Sequence, residues 1–280
     1  MIVSPRQRST RVVQYSVLGL YMLFLAFPLL WMLSISLKGP QELVQLHPHV
    51  IPSQPTYGNY TDAIQHNGLL HAAWNSFKVS SITAILAVFV AVPAAYVLAR
   101  QQGLISKAGM GWILLSQMFP LILIIIPLFL VLKDLHLINT HFGLIATYLV
   151  WTLPFSLWML QSYVRGIPPQ LEEAAMVDGA GRLTILRTII APLLGPGIVV
   201  VGLFVFVQCW NEFFFALVLL DSPNLSTLSL LLARFVGIEG IVRLGPLAAS
   251  ALLATIPSLL IFAFIQRFLT RGLLAGAVKG

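Results

Sequence analysis

One acid, Glu212, lies deep inside an apolar run of this chain, close to Gln208, Trp210 and Asn211. A carboxyl group beside two amides and an indole could bind the hydroxyls of a polar solute and stack on a ring. The same side chains could instead hydrogen-bond helix to helix within a bundle. Bond-breaking chemistry would need more, either a nucleophile–base pair or a metal cluster. No H-E-x-x-H and no G-x-S-x-G occurs, and no histidine falls within an apolar run. His66 and His71, and likewise His136 and His141, are five apart rather than the four that sets two ligands on one helical face. No metal site and no catalytic residue are expected. The lone Cys209 can form no intramolecular disulfide. There is no G-x-x-x-x-G-K-S/T phosphate loop, so ATP and its magnesium, if they drive this protein, must be bound by another chain. No cofactor is expected in this one.

A second group of functional candidates lies in the segment 165–192, which contains IPPQLEEAAMVDGAGRLTILRTIIAP. Pro168 and Pro169 suit a helix entry, where a missing N–H costs nothing. Glu172 and Glu173 fall in the first turn, at the positive end of the helix dipole. Ala174, Ala175 and Asp178 follow at helical spacing, and Gly179 supplies a residue free to take positive φ and end the helix. A second short helix is expected from about Arg182 to Ile190, with Leu183, Leu186 and Ile190 on one stripe. The small residues of the first helix would let another backbone approach closely. The same pattern also suits a plain hairpin connecting two spans.

These residues must be held by a membrane-spanning frame. Of the 280 residues, 58% are hydrophobic and only 9% are charged, against about 25% charged in a soluble domain. Too little charge is available to coat a water-facing surface, so lipid must cover much of the chain. A bilayer core admits helices or closed barrels, and runs such as LILIIIPLFLVL do not alternate as barrel strands would. With roughly 20 apolar residues needed per crossing, the sequence predicts an all-α integral membrane protein with six transmembrane helices. The spans are expected at about 12–37, 72–99, 109–132, 142–164, 193–220 and 244–268, within a single domain covering 1–280. Prolines inside the spans, Pro120, Pro127, Pro154 and Pro257, suggest kinked helices packed in a bundle.

Charge sets the orientation. If the N-terminus is cytoplasmic, eleven of the sixteen Lys and Arg residues fall in inner segments and four in outer ones, with Lys78 inside a span. The bias predicts both termini on the cytoplasmic side of the cell membrane. Basic residues are dispersed rather than clustered, which argues against nucleic acid despite a net charge of +7. Trp74 and Trp112 fit the membrane–water belt. Trp210 is deeper and could stack on the ring of a solute.

Glu173-Ala174-Ala175, three residues, Gly179, nine residues, then Ile189 and Pro192 resembles the EAA loop of ABC importer permeases. One position departs from the pattern, Ala191 where leucine is usual. Further pieces in the same order resemble the maltose-type, carbohydrate-importing branch, and within it the shorter six-helix partner. They include Asn59-Tyr60, Asn75-Ser76, Ala94-Ala95-Tyr96 with Ala99-Arg100, Met118-Phe119-Pro120, Leu153-Pro154-Phe155, Trp210-Asn211-Glu212-Phe213 and the ending Gly276 to Gly280. The resemblance implies a coupling loop between the fourth and fifth helices that seats on an ATPase through Glu172, Glu173, Ala174, Ala175, Asp178, Gly179 and Pro192. It implies a heterodimer with a second permease, two ATPase subunits and an extracytoplasmic solute-binding protein, moving a sugar or sugar-like solute by alternating access. Gln208, Trp210, Asn211 and Glu212 are the candidates for the translocation path. A glycerol-phosphate-like solute and a stand-alone secondary carrier are the alternatives, and a carrier would be expected to hold more charges at membrane depth.

Overall fold

The computed structural model describes residues 5–45, 49–101, 103–236 and 242–277. Among them the regular structure is helical apart from one isolated bridge between Val236 and Val242. The principal helices are α1 (Pro5–Ser36), α2 (Leu69–Arg100), α3 (Leu104–Ser116), α4 (Leu121–Asp134), α5 (His141–Arg165), α6 (Gln170–Val177), α7 (Arg182–Ile185), α8 (Gly195–Asn211), α9 (Phe214–Leu219), α10 (Leu228–Arg234) and α11 (Leu244–Ala277). Helix is the form in which each backbone N–H finds its carbonyl inside its own segment, as hydrocarbon requires. The last residues of the Gly276–Gly280 ending, 278–280, lie outside the described residues.

Among the described residues, four helical stretches are long and apolar enough to cross a membrane: Val13–Ser36, Leu69–Arg100, His141–Arg165 and Leu244–Phe264. A fifth arises if Arg182–Leu193 and Gly195–Asn211, bent by 76° to each other, count as one. The six expected spans are therefore not six unbroken helices. The expected third span, 109–132, divides into α3 and α4, of 13 and 14 residues. The division falls at 117–120, where Pro120 caps α4 with ψ 126° and donates no N–H. A proline disfavours the helical conformation in the residue before it, and Phe119 lies outside both helices. Pro28, Pro93, Pro127, Pro154 and Pro257, by contrast, ride inside helices. The expected fifth span, 193–220, is interrupted at Glu212, whose ψ of 132° ends α8 before α9 begins.

The chain forms two compact units, Met1–Leu69 with Leu232–Ile256, and Leu70–Leu231 with Pro257–Gly280. In the first, the Asn59 amide donates to the carbonyls of Ser36 (2.9 Å) and Lys38 (2.8 Å), which the end of α1 leaves unpaired. Arg243 pairs with Asp62 and lies over the Phe235 ring. In the second, α5 is the element against which α8 packs: Phe155 and Phe204 stack at 4.2 Å between ring centroids.

Two turns hold α9 and the start of α5. Asn139, at φ 56°, receives the N–H groups of Asp221 and Ser222 on its side-chain oxygen and donates its own N–H to the Leu219 carbonyl at 2.8 Å. Asparagine is one of the few non-glycine residues that readily take this conformation. Thr140 caps α5 by accepting from the Gly143 N–H at 3.0 Å. At Gly143 a Cβ would sit 2.2 Å from the Leu137 carbonyl oxygen, a backbone atom that cannot rotate away. Gly143→Ala is thus expected to destabilise the protein by about 1–3 kcal/mol, seen as a lower midpoint of thermal unfolding in detergent. Gly109→Ala in α3, with nothing within 4 Å of its Cβ, should leave the midpoint unchanged or raise it.

Candidate functional site

The segment after α5 folds as its residues dictate. Pro168 and Pro169 need no donor partners, and their carbonyls accept the first N–H groups of α6, those of Leu171, Glu172 and Glu173. At the other end Gly179 takes φ 83°. Its N–H reaches the Met176 carbonyl (3.0 Å) and that of Ala180 reaches Ala175 (2.9 Å), the paired bonds of a Schellman stop.

The two adjacent glutamates face opposite ways. Glu172 is only 5% exposed. Its Oε2 accepts from the Tyr96 hydroxyl at 2.8 Å and its Oε1 from Arg100 Nε at 2.6 Å. Arg100 also donates through its other nitrogen to the Ile167 carbonyl at 2.9 Å. One guanidinium at the end of α2 therefore holds both the entry and the first turn of the loop. Glu173, Ala174 and Asp178 are exposed, as are Met176 (51%) and Val177 (88%). A cleft of about 430 Å³ runs between the end of α2 and the loop, past Tyr96, Arg100, Glu173, Met176 and Arg182.

The second loop helix extends beyond its expected end. α7 passes through a π turn, Leu186–Ile190, into Ala191–Leu193, and then bends into α8. Pro192 has no N–H for the Thr188 carbonyl four residues back, and the widened turn lies just before it. Of the expected stripe, Ile190 is buried and Leu183 is exposed. Ile185 and Leu194 are buried instead.

At the interruption between α8 and α9, Glu212 is 8% exposed. Its Oε1 accepts from the Phe215 N–H (2.8 Å), and its Oε2 from the Ala216 N–H (3.3 Å) and the Tyr148 hydroxyl (2.7 Å). Ser229 donates to the Glu212 carbonyl. The carboxyl group thus satisfies the first turn of the resumed helix. Trp210 is buried and stacks on Phe206, with ring centroids 5.8 Å apart. Asn211 is exposed and donates to the Val207 carbonyl at 2.9 Å. Gln208 is half-buried and borders a cleft with Trp151 and Phe155. Of the four path candidates, Gln208 is the one that lines this cleft. Sequence reasoning gave Tyr96 and Arg100 only as pieces of a pattern and missed Tyr148. Spacing within a helix carries no signal for a partner on another helix.

Residues 87–274 match the family described as binding-protein-dependent transport system inner membrane component. The chain belongs to that family. It is a multi-pass permease subunit of an ABC importer in the inner membrane, and its family is one of transport subunits rather than catalytic ones. It is 53% identical over 229 residues to the putative ABC transporter permease protein ORF1 of Streptomyces antibioticus, covering 82% of this chain and 100% of that one. It is 33% identical over 256 residues to the trehalose/maltose transport system permease protein MalG of Thermococcus litoralis, covering 91% of each. The permease also shares the fold of a chain in the crystal structure of a bacterial ABC transporter that imports the acidic polysaccharide alginate, with a TM-score of 0.80, 21% identity and coverage of 95% of this chain and 99% of that one.

Glu172→Ala removes one partner of a nearly buried pair and leaves Arg100 and Tyr96 unmatched. The expected loss is about 1–3 kcal/mol, given that Arg100 keeps some contact with solvent. Limited proteolysis should then cut between 166 and 182 faster than in the wild type, whereas Glu173→Ala should leave the cutting rate unchanged.

Proposed function

We propose that this permease imports a sugar or sugar-like solute by alternating access, and that segment 165–192 is where an ATPase subunit seats. The outward side of α6 carries this reading. Met176 and Val177 stand exposed beside Ala174 and Gly179 on a polar connection between two apolar helices, where a bare apolar surface fits a partner protein. Pinning of the loop by Arg100 and Glu172 makes that surface rigid enough to transmit a push. Glu173, Ala174, Ala175, Asp178 and Gly179 form the contact, while Glu172 and Pro192 act behind it, as the anchor and as the start of the bend.

The bias of Lys and Arg toward segments on the loop's side supports cytoplasmic termini and a cytoplasmic loop. The working unit is then a heterodimer of this chain with a second permease, two ATPase subunits that bind ATP and magnesium, and an extracytoplasmic solute-binding protein. The trehalose/maltose relative supports a carbohydrate as cargo. Closure of the ATPase pair favours one of two permease states, and the loaded binding protein favours the same one, so each shifts the equilibrium by its differential affinity.

The test is a co-purification of the tagged permease with its genomic partner permease and ATPase. Glu173→Arg combined with Val177→Asp should release the ATPase while thermal stability stays unchanged. Gly179 is left alone, because a side chain at φ 83° would strain the turn whatever binds there. Failure of the wild type to retain any ATPase, with transport by the isolated chain in liposomes, would sink the proposal and favour a stand-alone carrier.

A further inference from the structure

The two interruptions of helix, at 117–120 and at Glu212, open onto neighbouring cavities. A cleft of about 120 Å³ is lined by Gln117, Trp151, Thr152, Phe155 and Gln208 among others. A cavity of about 180 Å³ shares Gln117 and Trp151 with it and reaches Phe215, just beyond the second interruption. Broken helices at membrane depth are tolerated where the irregular backbone is buried in protein or lines a water-filled path, and transporters place solute sites at such breaks.

The hydrogen bonds divide the polar side chains near these breaks into occupied and unoccupied. Glu212 has both oxygens engaged, by Tyr148, Phe215 and Ala216, and the Asn211 amide donates to Val207. The Thr152 hydroxyl donates to the Tyr148 carbonyl. The amides of Gln117 and Gln208 have no hydrogen-bond partner among the described residues. Each amide offers two donors and two acceptor lone pairs. Gln117 is exposed and Gln208 half-buried, so both are open to a solute in the clefts they line. No charged side chain lines either cavity among the described residues.

We propose that Gln117 and Gln208 form the polar wall of the solute path in this subunit, with Trp151 as its stacking ring, and that the solute they pass is a neutral polyhydroxylated one. The inference rests on the importer reading above and narrows it. Paired donors and acceptors on each amide match adjacent hydroxyls, and the indole face matches the C–H face of a sugar ring. A phosphate would meet no cation here, so the glycerol-phosphate-like alternative is disfavoured. The path set changes accordingly: Gln208 stays, Gln117 and Trp151 join it, and Trp210, Asn211 and Glu212 support the break beside it.

The test uses the assembled transporter in membrane vesicles, with the buried Cys209 replaced by alanine. Gln117→Cys and Gln208→Cys are treated with three methanethiosulfonates: cationic trimethylammonioethyl, anionic sulfonatoethyl and neutral glucosyl. Both thiols should react with the water-soluble reagents, and trapping with ATP and vanadate should change the rates several-fold. Ile126→Cys, on the exposed apolar side of α4, should stay unreactive. Relative to a free thiol, the glucosyl reagent should be favoured over the anionic one.

Thiols that stay unreactive in both nucleotide states would overturn the proposal, and would mean that the amides meet the partner subunit. A preference for the anionic reagent would overturn the neutral class. Should either variant lose thermal stability, Trp151→Cys reports on the same space. Retention of the ATPase with unreactive thiols rejects this path alone, whereas loss of the ATPase with reactive thiols rejects the coupling reading alone.

Discussion

Hydrocarbon offers no hydrogen bonds, and this permease interrupts two of its apolar helical runs. Each interruption frees backbone groups that lipid could not satisfy, so each carries its own remedy. At 117–120 the remedy is subtraction, since Pro120 brings no N–H to leave unpaired. At Glu212 it is addition, a carboxyl group that accepts from two N–H groups of α9 and from the Tyr148 hydroxyl. The fold can then keep α9 as a separate short helix, pinned at its far end by Asn139.

The same economy governs the loop. Two neighbouring glutamates have the same chemistry and opposite uses. Glu172 is drawn inward because Arg100 and Tyr96 meet it, and Glu173 is left on the surface with Met176 and Val177. A helix of eight residues has little stability of its own. α6 persists because its entry and its stop are both fixed, by the Arg100 clamp and by Gly179.

Much of this was legible in the sequence. Composition gave the bilayer, long apolar runs gave the helices, and Pro168, Pro169 and Gly179 gave both ends of α6. The breaks were not legible. Pro28, Pro93, Pro127, Pro154 and Pro257 sit inside continuous helices, whereas at Pro120 the backbone leaves the helix, a difference that residue type alone does not announce. Glu212 was legible as unusual, but its role depended on Tyr148, sixty-four residues away. A deep acid invites a solute-binding role. Its three partners engage this one within the chain itself, whereas the unremarked Gln117 has none among the described residues.

The 76° bend between the loop's second helix and α8 has a mechanical meaning. A straight rod pushed at its end slides along its axis, but a bent one turns. With its entry tethered to α2 through Arg100, and its exit continuous with α8 through the π turn, the loop would act as a crank under the coupling proposed above. A small displacement of Val177 would reach Gln208 as rotation about the α8 axis, sweeping one side of that helix past α5 rather than sliding it up or down.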